Sequence, residues 1–208
     1  MRGLIQLLVM SLIAFGCVKP VNKGVYYTYQ DQIEFGSAVR IAAICQNGGL
    51  VSGSGVAVSD HKVITAKHLI INCHPDVFYI FMRENNKVKQ IEATLGDLVS
   101  GVDVMSLITE EKLLHVAPIK FDSPLVGEEV CSIGGGGLDN GWIKKCGYVA
   151  YFDENGWIAS IPAVPGNSGS PVYDYAGRIV GILVQGSWGE GREKYANSVP
   201  VKAWKELL

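Results

Sequence analysis

The chain reads as a succession of short strand-like runs separated by turn residues. About six runs lie between residues 36 and 115, and about six more between 126 and 200, and valine and isoleucine are common in them. No helical segment alternates with these runs, so the pattern favours an all-β fold of sandwiches or closed barrels in two lobes. A short closing helix is predicted at the C-terminus from apolar residues at helical spacing, namely Val201, Trp204, Leu207 and Leu208.

The start of the chain has the composition of a signal peptide, which we assign to residues 1–16. A positive charge precedes an apolar run, residues 4–15, that is short for a membrane span. Cys17 directly after the predicted cleavage point also resembles the cysteine of a bacterial lipoprotein signal, which is acylated. Plain cleavage, lipidation and an uncleaved anchor helix stay open as alternatives. Residues 17–35 are polar and are interpreted as a tether.

Four cysteines remain when Cys17 is set aside. An even number in an exported chain indicates two disulfide bonds, although the residues alone permit three pairings. Four buried free thiols are the alternative for a reducing compartment. No two cysteines or histidines have the close spacing of metal ligands, so the sequence predicts no metal site. The four residues are Cys45, Cys73, Cys131 and Cys146.

The charge distribution argues against a nucleic-acid partner. The chain has 18 basic and 20 acidic residues, a net charge of −2, and no basic block. Its 48% hydrophobic content also argues against disorder. Nothing in the sequence indicates the oligomeric state.

A serine stands among glycines in the segment Gly166-Asn167-Ser168-Gly169-Ser170-Pro171. A flexible surface turn is one interpretation, and a nucleophile is the other. Glycine beside a nucleophile allows a positive φ and lets the backbone approach the substrate. The N–H groups of Gly166 and Ser168 would then form an oxyanion hole for the intermediate.

A nucleophilic serine requires a base and a group that orients the base. His68 ends a strand-like run and is the candidate base, whereas Asp103 directly precedes an apolar run and is the candidate orienting acid. Asp97 is the rival acid, but polar chain containing glycine follows it. Each residue alone is a weak signal. Together, in the order His, Asp, Ser, they predict a triad of His68, Asp103 and Ser168.

Three segments, "GSGVAVSDHKVITAKH", "DVMSLI" and "GNSGSPV…GRIVGILV", resemble the motif blocks of trypsin-like (chymotrypsin-fold) serine proteases. They are most similar to the bacterial branch that includes glutamyl endopeptidases and the protease lobes of the HtrA group. The resemblance covers about residues 36–205. It implies two six-stranded antiparallel β-barrels with the active site in the cleft between them, and cleavage of protein or peptide substrates without a metal or cofactor. It also implies a disulfide across the histidine strand, which suits Cys45 and Cys73; Cys131 and Cys146 would then lie on adjacent strands opening the second barrel.

The residue before the nucleophile departs from animal trypsins. Those enzymes carry an aspartate there, which pairs with a new N-terminal amine after activation, whereas this chain carries Asn167. An amide cannot form that ion pair. The loop around Ser168 is therefore expected to hold its shape by hydrogen bonds alone.

The residues with which related proteases recognise a charged P1 side chain are also replaced in this sequence. Pro162 stands where enzymes specific for Lys or Arg keep an acid, and Leu183 stands where glutamyl endopeptidases keep a histidine. The resemblance therefore implies a pocket for an uncharged, small or apolar P1 side chain. Its predicted walls are Ile161, Pro162, Leu183, Val184 and Gln185.

Two functions from different classes follow from these features. The first is an exported serine endopeptidase of the periplasm or extracellular space, in contact with a membrane only through a lipid on Cys17. The second is a catalytically inactive protease-fold binding protein of the cell envelope, because a fold does not guarantee activity. An esterase of unrelated fold is disfavoured, since a helix would have to follow its nucleophile, and strand-like runs follow Ser168 instead.

Overall fold

The structure is a computed structural model that describes residues 35–71, 73–84, 87–136, 139–154, 156–186 and 195–208. The predicted signal peptide, Cys17 and the tether up to residue 34 lie outside the described residues. Within those ranges, no helix has the length and apolar character that crossing a membrane requires.

The first six strands close into an antiparallel barrel. Their spatial order is β1-β2-β3-β6-β5-β4, and β4 returns to pair with β1. A barrel that closes in this way leaves no unpaired strand edge. The strands are β1 (Ala38–Ile44), β2 (Leu50–Ser59), β3 (Lys62–Thr65), β4 (Phe78–Glu84), β5 (Lys87–Leu98) and β6 (Met105–Thr109).

The second six strands repeat this arrangement. Their closed order is β10-β11-β12-β9-β8-β7, again with antiparallel pairs. The prediction of two six-stranded antiparallel barrels is thus confirmed. The strands are β7 (Glu129–Gly136), β8 (Asp139–Phe152), β9 (Trp157–Ala159), β10 (Pro171–Tyr173), β11 (Ile179–Gly186) and β12 (Ala196–Pro200).

Alternation along the strands builds each barrel interior. In β1, Val39 and Ile41 point into the first barrel, while the neighbouring Ala38 faces the other way. This is the two-residue period expected of a strand. Trp157 and Val180 belong to the corresponding interior of the second barrel.

A third apolar cluster joins the two barrels. Val56 and Ile64 on the outer face of the first barrel pack with Ile182 and Tyr173 of the second. Strands of the first barrel therefore bury both faces, which explains their nearly continuous apolar sequence. The cluster fixes the position of the two barrels relative to each other, and so the position of the cleft between them.

The closing segment is helical, as predicted, and consists of two 3₁₀ turns. These turns span Val201–Ala203 and Lys205–Leu207. Val201, Trp204 and Leu207 are buried against the cluster between the barrels, whereas Leu208 is 43% exposed. A spacing of three residues matches the three residues per turn of a 3₁₀ helix. The sequence pattern located the buried face but not the type of helix.

Two disulfide bonds are present; the first is the one that the resemblance implied, and the second joins the two cysteines expected on adjacent strands. Cys45 at the end of β1 is bonded to Cys73, which follows the turn carrying His68. Cys131 of β7 is bonded to its cross-strand neighbour Cys146 of β8. The first bond ties the histidine turn to the wall of the first barrel.

A buried carboxylate fastens the segment between the barrels to the second barrel. The side chain of Asp174 is 2% exposed, and it accepts hydrogen bonds from the backbone N–H and the guanidinium of Arg178. The ammonium of Lys120, on the connecting segment, lies 3.6 Å from the same carboxylate. Burial pushes the pKa of Asp174 upward, but the hydrogen bonds and charge of Arg178, with the charge of Lys120, outweigh burial and hold the pKa below its usual value of 3.8.

This network should make stability depend on pH in the acid range. Because the folded-state pKa of Asp174 is depressed, its contribution is present above the unfolded-state pKa and is lost as pH falls below about 4 toward the folded value. We expect Asp174→Asn to lower the free energy of unfolding by about 1–2 kcal/mol at neutral pH. Urea unfolding near pH 7 and near pH 3 measures the difference between the two proteins, which should shrink at the lower pH. A difference that is the same at both pH values would contradict this role.

Candidate active site

His68 and Asp103 meet at the entrance of the cleft. The imidazole Nδ1 of His68 lies 2.6 Å from Asp103 Oδ2, and the backbone N–H of His68 donates to Oδ1 of the same carboxylate at 2.7 Å. Bonding to a carboxylate places a proton on Nδ1, which leaves Nε2 as a proton acceptor. The rival acid Asp97 lies exposed on β5 and holds no bond to His68.

A lysine that the sequence analysis did not select holds the acid in place. Lys67 donates its backbone N–H to the carbonyl of Asp103 at 3.3 Å and its ammonium to the carbonyl of Val99 at 3.0 Å. Both contacts fall on the loop that carries Asp103. Lys67, which precedes the candidate base His68, thus also orients the candidate acid Asp103. The alternation of side chains along a strand does not predict this contact.

Ser168 lies beside the strand end from which His68 follows. Its carbonyl accepts the backbone N–H of Ser54 at 2.7 Å, which docks the serine loop on β2. A Cβ added to Gly169 would meet the backbone N–H of Ala66 at 2.9 Å, so the loop backbone directly contacts the end of β3. Among the described residues, the Ser168 hydroxyl makes no hydrogen bond, to His68 or to any other group. Triad hydrogen bonds are often long without substrate and shorten when substrate binds.

A tight turn precedes the serine. The N–H of Asn167 donates to the carbonyl of Val164 at 3.0 Å, and Gly166, the third residue of this turn, has a φ of +92°. Pro165 occupies the second position. Proline second and a glycine of positive φ third define a type II turn, whose central peptide is rotated by about 180° relative to a type I turn. The order Pro-Gly therefore selects one orientation of the Gly166 N–H.

The turn leaves two donors available. In the described part of the chain, no group accepts the N–H of Gly166 or the N–H of Ser168. These are the two N–H groups that the sequence predicted for an oxyanion hole. Two unengaged N–H groups on either side of Asn167 can stabilise one negatively charged oxygen.

The buried side chain of Asn167 holds the loop that carries Ser168. Its side chain is almost fully buried and donates from Nδ2 to the carbonyl of Gly135 at 2.7 Å. Its Oδ1 accepts the N–H of Val164 at 2.9 Å and lies 3.3 Å from the ammonium of Lys145. Hydrogen bonds of an amide thus hold the loop, as expected, and Lys145, which the sequence analysis did not select, adds a positive charge.

The predicted pocket residues separate into two groups. Ile161 and Leu183 are 1% and 2% exposed and belong to the core of the second barrel, so neither lines the cleft. Pro162 is exposed on the segment before the serine loop. Val184 and Gln185 line a cleft of about 710 Å³ that also includes His68, Asp103, Asn197 and Lys202.

Other groups that could bind a metal do not converge. Among the described residues, no three His, Cys, Asp or Glu side chains are arranged to hold a metal ion. His61 and His74 are exposed on the first barrel. The groups that the described site brings together are a hydroxyl, an imidazole, a carboxylate and two backbone donors.

Comparisons with known proteins identify the family and the fold. Residues 53–182 match the family model of the trypsin-like peptidase domain. The chain is 25% identical over 181 residues to glutamyl endopeptidases of Staphylococcus epidermidis, a match that covers 78% of this chain and 62% of those proteins. The chain therefore spans less than two thirds of the length of these curated relatives.

Solved structures share the fold. A protease from M. tuberculosis in its active form superposes with a TM-score of 0.72 at 17% identity, covering 86% of this chain and 82% of that chain. A serine endoprotease from Yersinia pestis has the same TM-score at 21% identity, covering 87% of this chain and 65% of its own. At these identities the similarity establishes the two-barrel architecture.

Proposed function

The chain belongs to the trypsin-like peptidase family, and we propose that it is a serine endopeptidase that acts through an acyl-enzyme intermediate. The observation that carries the proposal is the bond between His68 and Asp103, formed at the edge of a loop that presents Ser168 and two unengaged N–H groups. Each of these groups has a defined role in acyl transfer.

The proposed reaction has two halves. The Oγ of Ser168 attacks the peptide carbonyl carbon while Nε2 of His68 takes the hydroxyl proton, and the N–H groups of Gly166 and Ser168 stabilise the oxyanion. His68 then gives the proton to the leaving amine, which breaks the peptide bond. Water attacks the acyl-enzyme in the same way and releases Ser168. Asp103 stabilises the imidazolium that forms in each half.

We further propose that the P1 residue is uncharged. Val184 and Gln185 line the cleft beside His68, and Pro162 lies on the segment that leads to the serine loop. The proposal places the P1 side chain against these three residues, none of which has an ionic charge, and away from Asp153, Glu154 and Lys202, which line the same cleft. The relatives named glutamyl endopeptidases share the family, but in this chain Leu183 stands where the resemblance places their histidine.

Cleavage of a peptide library by the mature protein tests both proposals. We expect new termini after small or apolar residues, with at least a tenfold excess over cleavage after Glu, Lys or Arg, because an uncompensated buried charge opposes binding. Cleavage chiefly after a charged residue would overturn the P1 proposal alone. No cleavage of any peptide would contradict the endopeptidase proposal.

The oxyanion turn gives a third expectation. Alanine at position 166 disfavours a φ of +92°, so Gly166→Ala should favour the type I form and rotate the Gly166 N–H out of the hole. We expect kcat to fall by about 10²–10³-fold, as for loss of one oxyanion donor. Gly127→Ala is the matched control, since Gly127 has a φ of +84° and open space around it, outside the cleft. Equal effects of the two changes on kcat would refute the assignment.

An inactive binding protein is the second candidate. The specific observation in its favour is the absence of a Ser168–His68 hydrogen bond among the described residues. Against it stand the paired His68 and Asp103 and the two unengaged N–H groups, which a binding module does not require. Reaction with a fluorophosphonate probe separates the two, because only an activated serine is phosphonylated at an appreciable rate.

We also propose that the protein is exported. The two disulfide bonds are typical of oxidising compartments, and the leader over residues 1–16 has the composition of a signal peptide. The intact mass of the mature protein distinguishes a chain that begins at residue 17, with or without lipid on Cys17, from an uncleaved chain.

A further inference from the structure

We propose that Ser54, a residue of the first barrel, is a positioning residue for the oxyanion hole in the second. The proposal rests on the function proposed above. Ser54 is fully buried in β2, and its side chain does not touch the reacting atoms. It acts through the peptide group that joins Gly166 to Asn167.

The hydroxyl of Ser54 has two hydrogen bonds. Its Oγ donates to the carbonyl of Gly166 at 2.7 Å and accepts the N–H of Gly135 at 2.9 Å. The first contact joins residues 112 positions apart in the sequence. One buried hydroxyl thus connects β2, the serine loop and β7.

These bonds close a ring. Gly135 donates its N–H to Ser54, and its carbonyl accepts Nδ2 of Asn167 at 2.7 Å. The N–H of Asn167, in the same peptide group as the Gly166 carbonyl, closes the type II turn onto Val164. The Gly166–Asn167 peptide group is therefore held at its oxygen by Ser54 and at its nitrogen by the turn.

The backbones around this hydroxyl pack closely. Ser54 also donates its backbone N–H to the carbonyl of Ser168 at 2.7 Å, so β2 contacts the loop on both sides of Asn167. A Cβ on Gly134 would lie 2.9 Å from the Ser54 hydroxyl and would collide with Ser170. Glycines flank Ser54 at positions 53 and 55, a pattern that indicates close approach of another backbone to a strand.

Removing the hydroxyl would leave the Gly166 carbonyl and the Gly135 N–H buried and unpaired. Leaving either group buried without a hydrogen bond raises the free energy enough that the loop is expected to move until the group finds another partner. The carbonyl and the N–H of Gly166 are attached to the same Cα, so a loop that moves to pair the carbonyl elsewhere also displaces the Gly166 N–H from the hole. The effect should fall on stabilisation of the oxyanion and not on binding of the ground-state peptide.

Kinetics of Ser54→Ala test this inference on the mature protein, with active sites counted by fluorophosphonate titration. We expect kcat to fall about 10–100-fold, less than for loss of a donor itself, with KM within about twofold. The inhibition constant of a peptide boronic acid, whose oxygen occupies the hole, should rise by the same factor as kcat falls.

Ser106→Ala is the matched control, because Ser106 is an equally buried serine of the first barrel that bonds Asp97 instead. It should leave kcat unchanged.

A second variant covers the case in which Ser54→Ala does not fold. Ser54→Cys keeps a side chain of similar size with a weaker donor, and it should give an intermediate loss of kcat. The inference is overturned if a folded variant has the kcat and KM of the wild type. It is also overturned if the loss of activity equals the loss of titratable active sites, so that kcat per active site is unchanged. A wild-type protein that cleaves no peptide would instead defeat the proposed function, so the two failures are distinguishable.

Discussion

Ser168→Ala should lower kcat by about 10⁶-fold while the variant stays folded. The hydroxyl makes no hydrogen bond among the described residues, and the loop is held by backbone bonds of Ser168 and by Asn167, all of which the alanine variant retains. Loss of the hydroxyl therefore removes the attacking atom with little change in stability. Steady-state hydrolysis of a quenched peptide, together with a thermal unfolding curve, measures both quantities.

Ser170 provides the control within the same loop. Its hydroxyl is buried and has no hydrogen-bond partner within the described ranges, while its backbone N–H and carbonyl bond Asn167 and Leu183. Ser170→Ala retains those backbone bonds and should leave kcat within a few fold of the wild type. Hydrolysis that survives in Ser168→Ala but disappears in Ser170→Ala would show that the nucleophile is misassigned.

Asp103→Asn should lower kcat by about 10⁴-fold. The two carboxylate oxygens of Asp103 accept the Nδ1–H and the backbone N–H of His68. An asparagine that keeps its oxygen on the backbone N–H must turn its NH₂ toward Nδ1. That contact favours the tautomer with the proton on Nε2, which cannot accept the proton of Ser168.

The same change at Asp97 is the control for Asp103. Asp97 is exposed on β5 and is the acid that sequence reasoning weighed second. Asp97→Asn should retain full kcat, with the pH profile of the wild type. A loss of activity in Asp97→Asn comparable to that in Asp103→Asn would remove the basis for choosing Asp103.

The architecture could be predicted because it depends on patterns that are local in the sequence. Strand runs, turn glycines and the two-residue period each involve neighbouring residues, and they anticipated two lobes of six strands. The sequence predicted the closing helix but not its 3₁₀ type, because Val201 and Trp204 are three residues apart in a pattern compatible with either helix type. Packing against the cluster between the barrels decides between them.

The contacts that shape the candidate site are long-range and were only partly predictable. His68 and Asp103 could be selected because each stands at the end of a strand-like run. The bond from Ser54 to Gly166 spans 112 positions and that from Asn167 to Gly135 spans 32, so no local pattern reports them. The glycines on either side of Ser54 were the only sequence sign of its position.

The residues that line the substrate pocket could be predicted only in part from their positions in the sequence. Ile161 and Leu183 occupy the predicted sequence positions, but their side chains fill the core of the second barrel. Alternation along β11 places Val184 on the opposite face from Leu183, toward the cleft and the contact between the barrels. Which of two adjacent strand residues faces a cleft depends on the register of β11 against β12, which includes a bulge between Leu183 and Gln185.

We propose that the imidazole of His68 makes the hydroxyl of Ser168 nucleophilic. Treating the mature protein with a fluorophosphonate and mapping the modified peptide by mass spectrometry tests this claim directly. We predict a single phosphonyl group on Ser168, with labelling abolished in His68→Ala. An adduct on any other residue, or peptide hydrolysis by a protein whose Ser168 stays unmodified, would contradict the account.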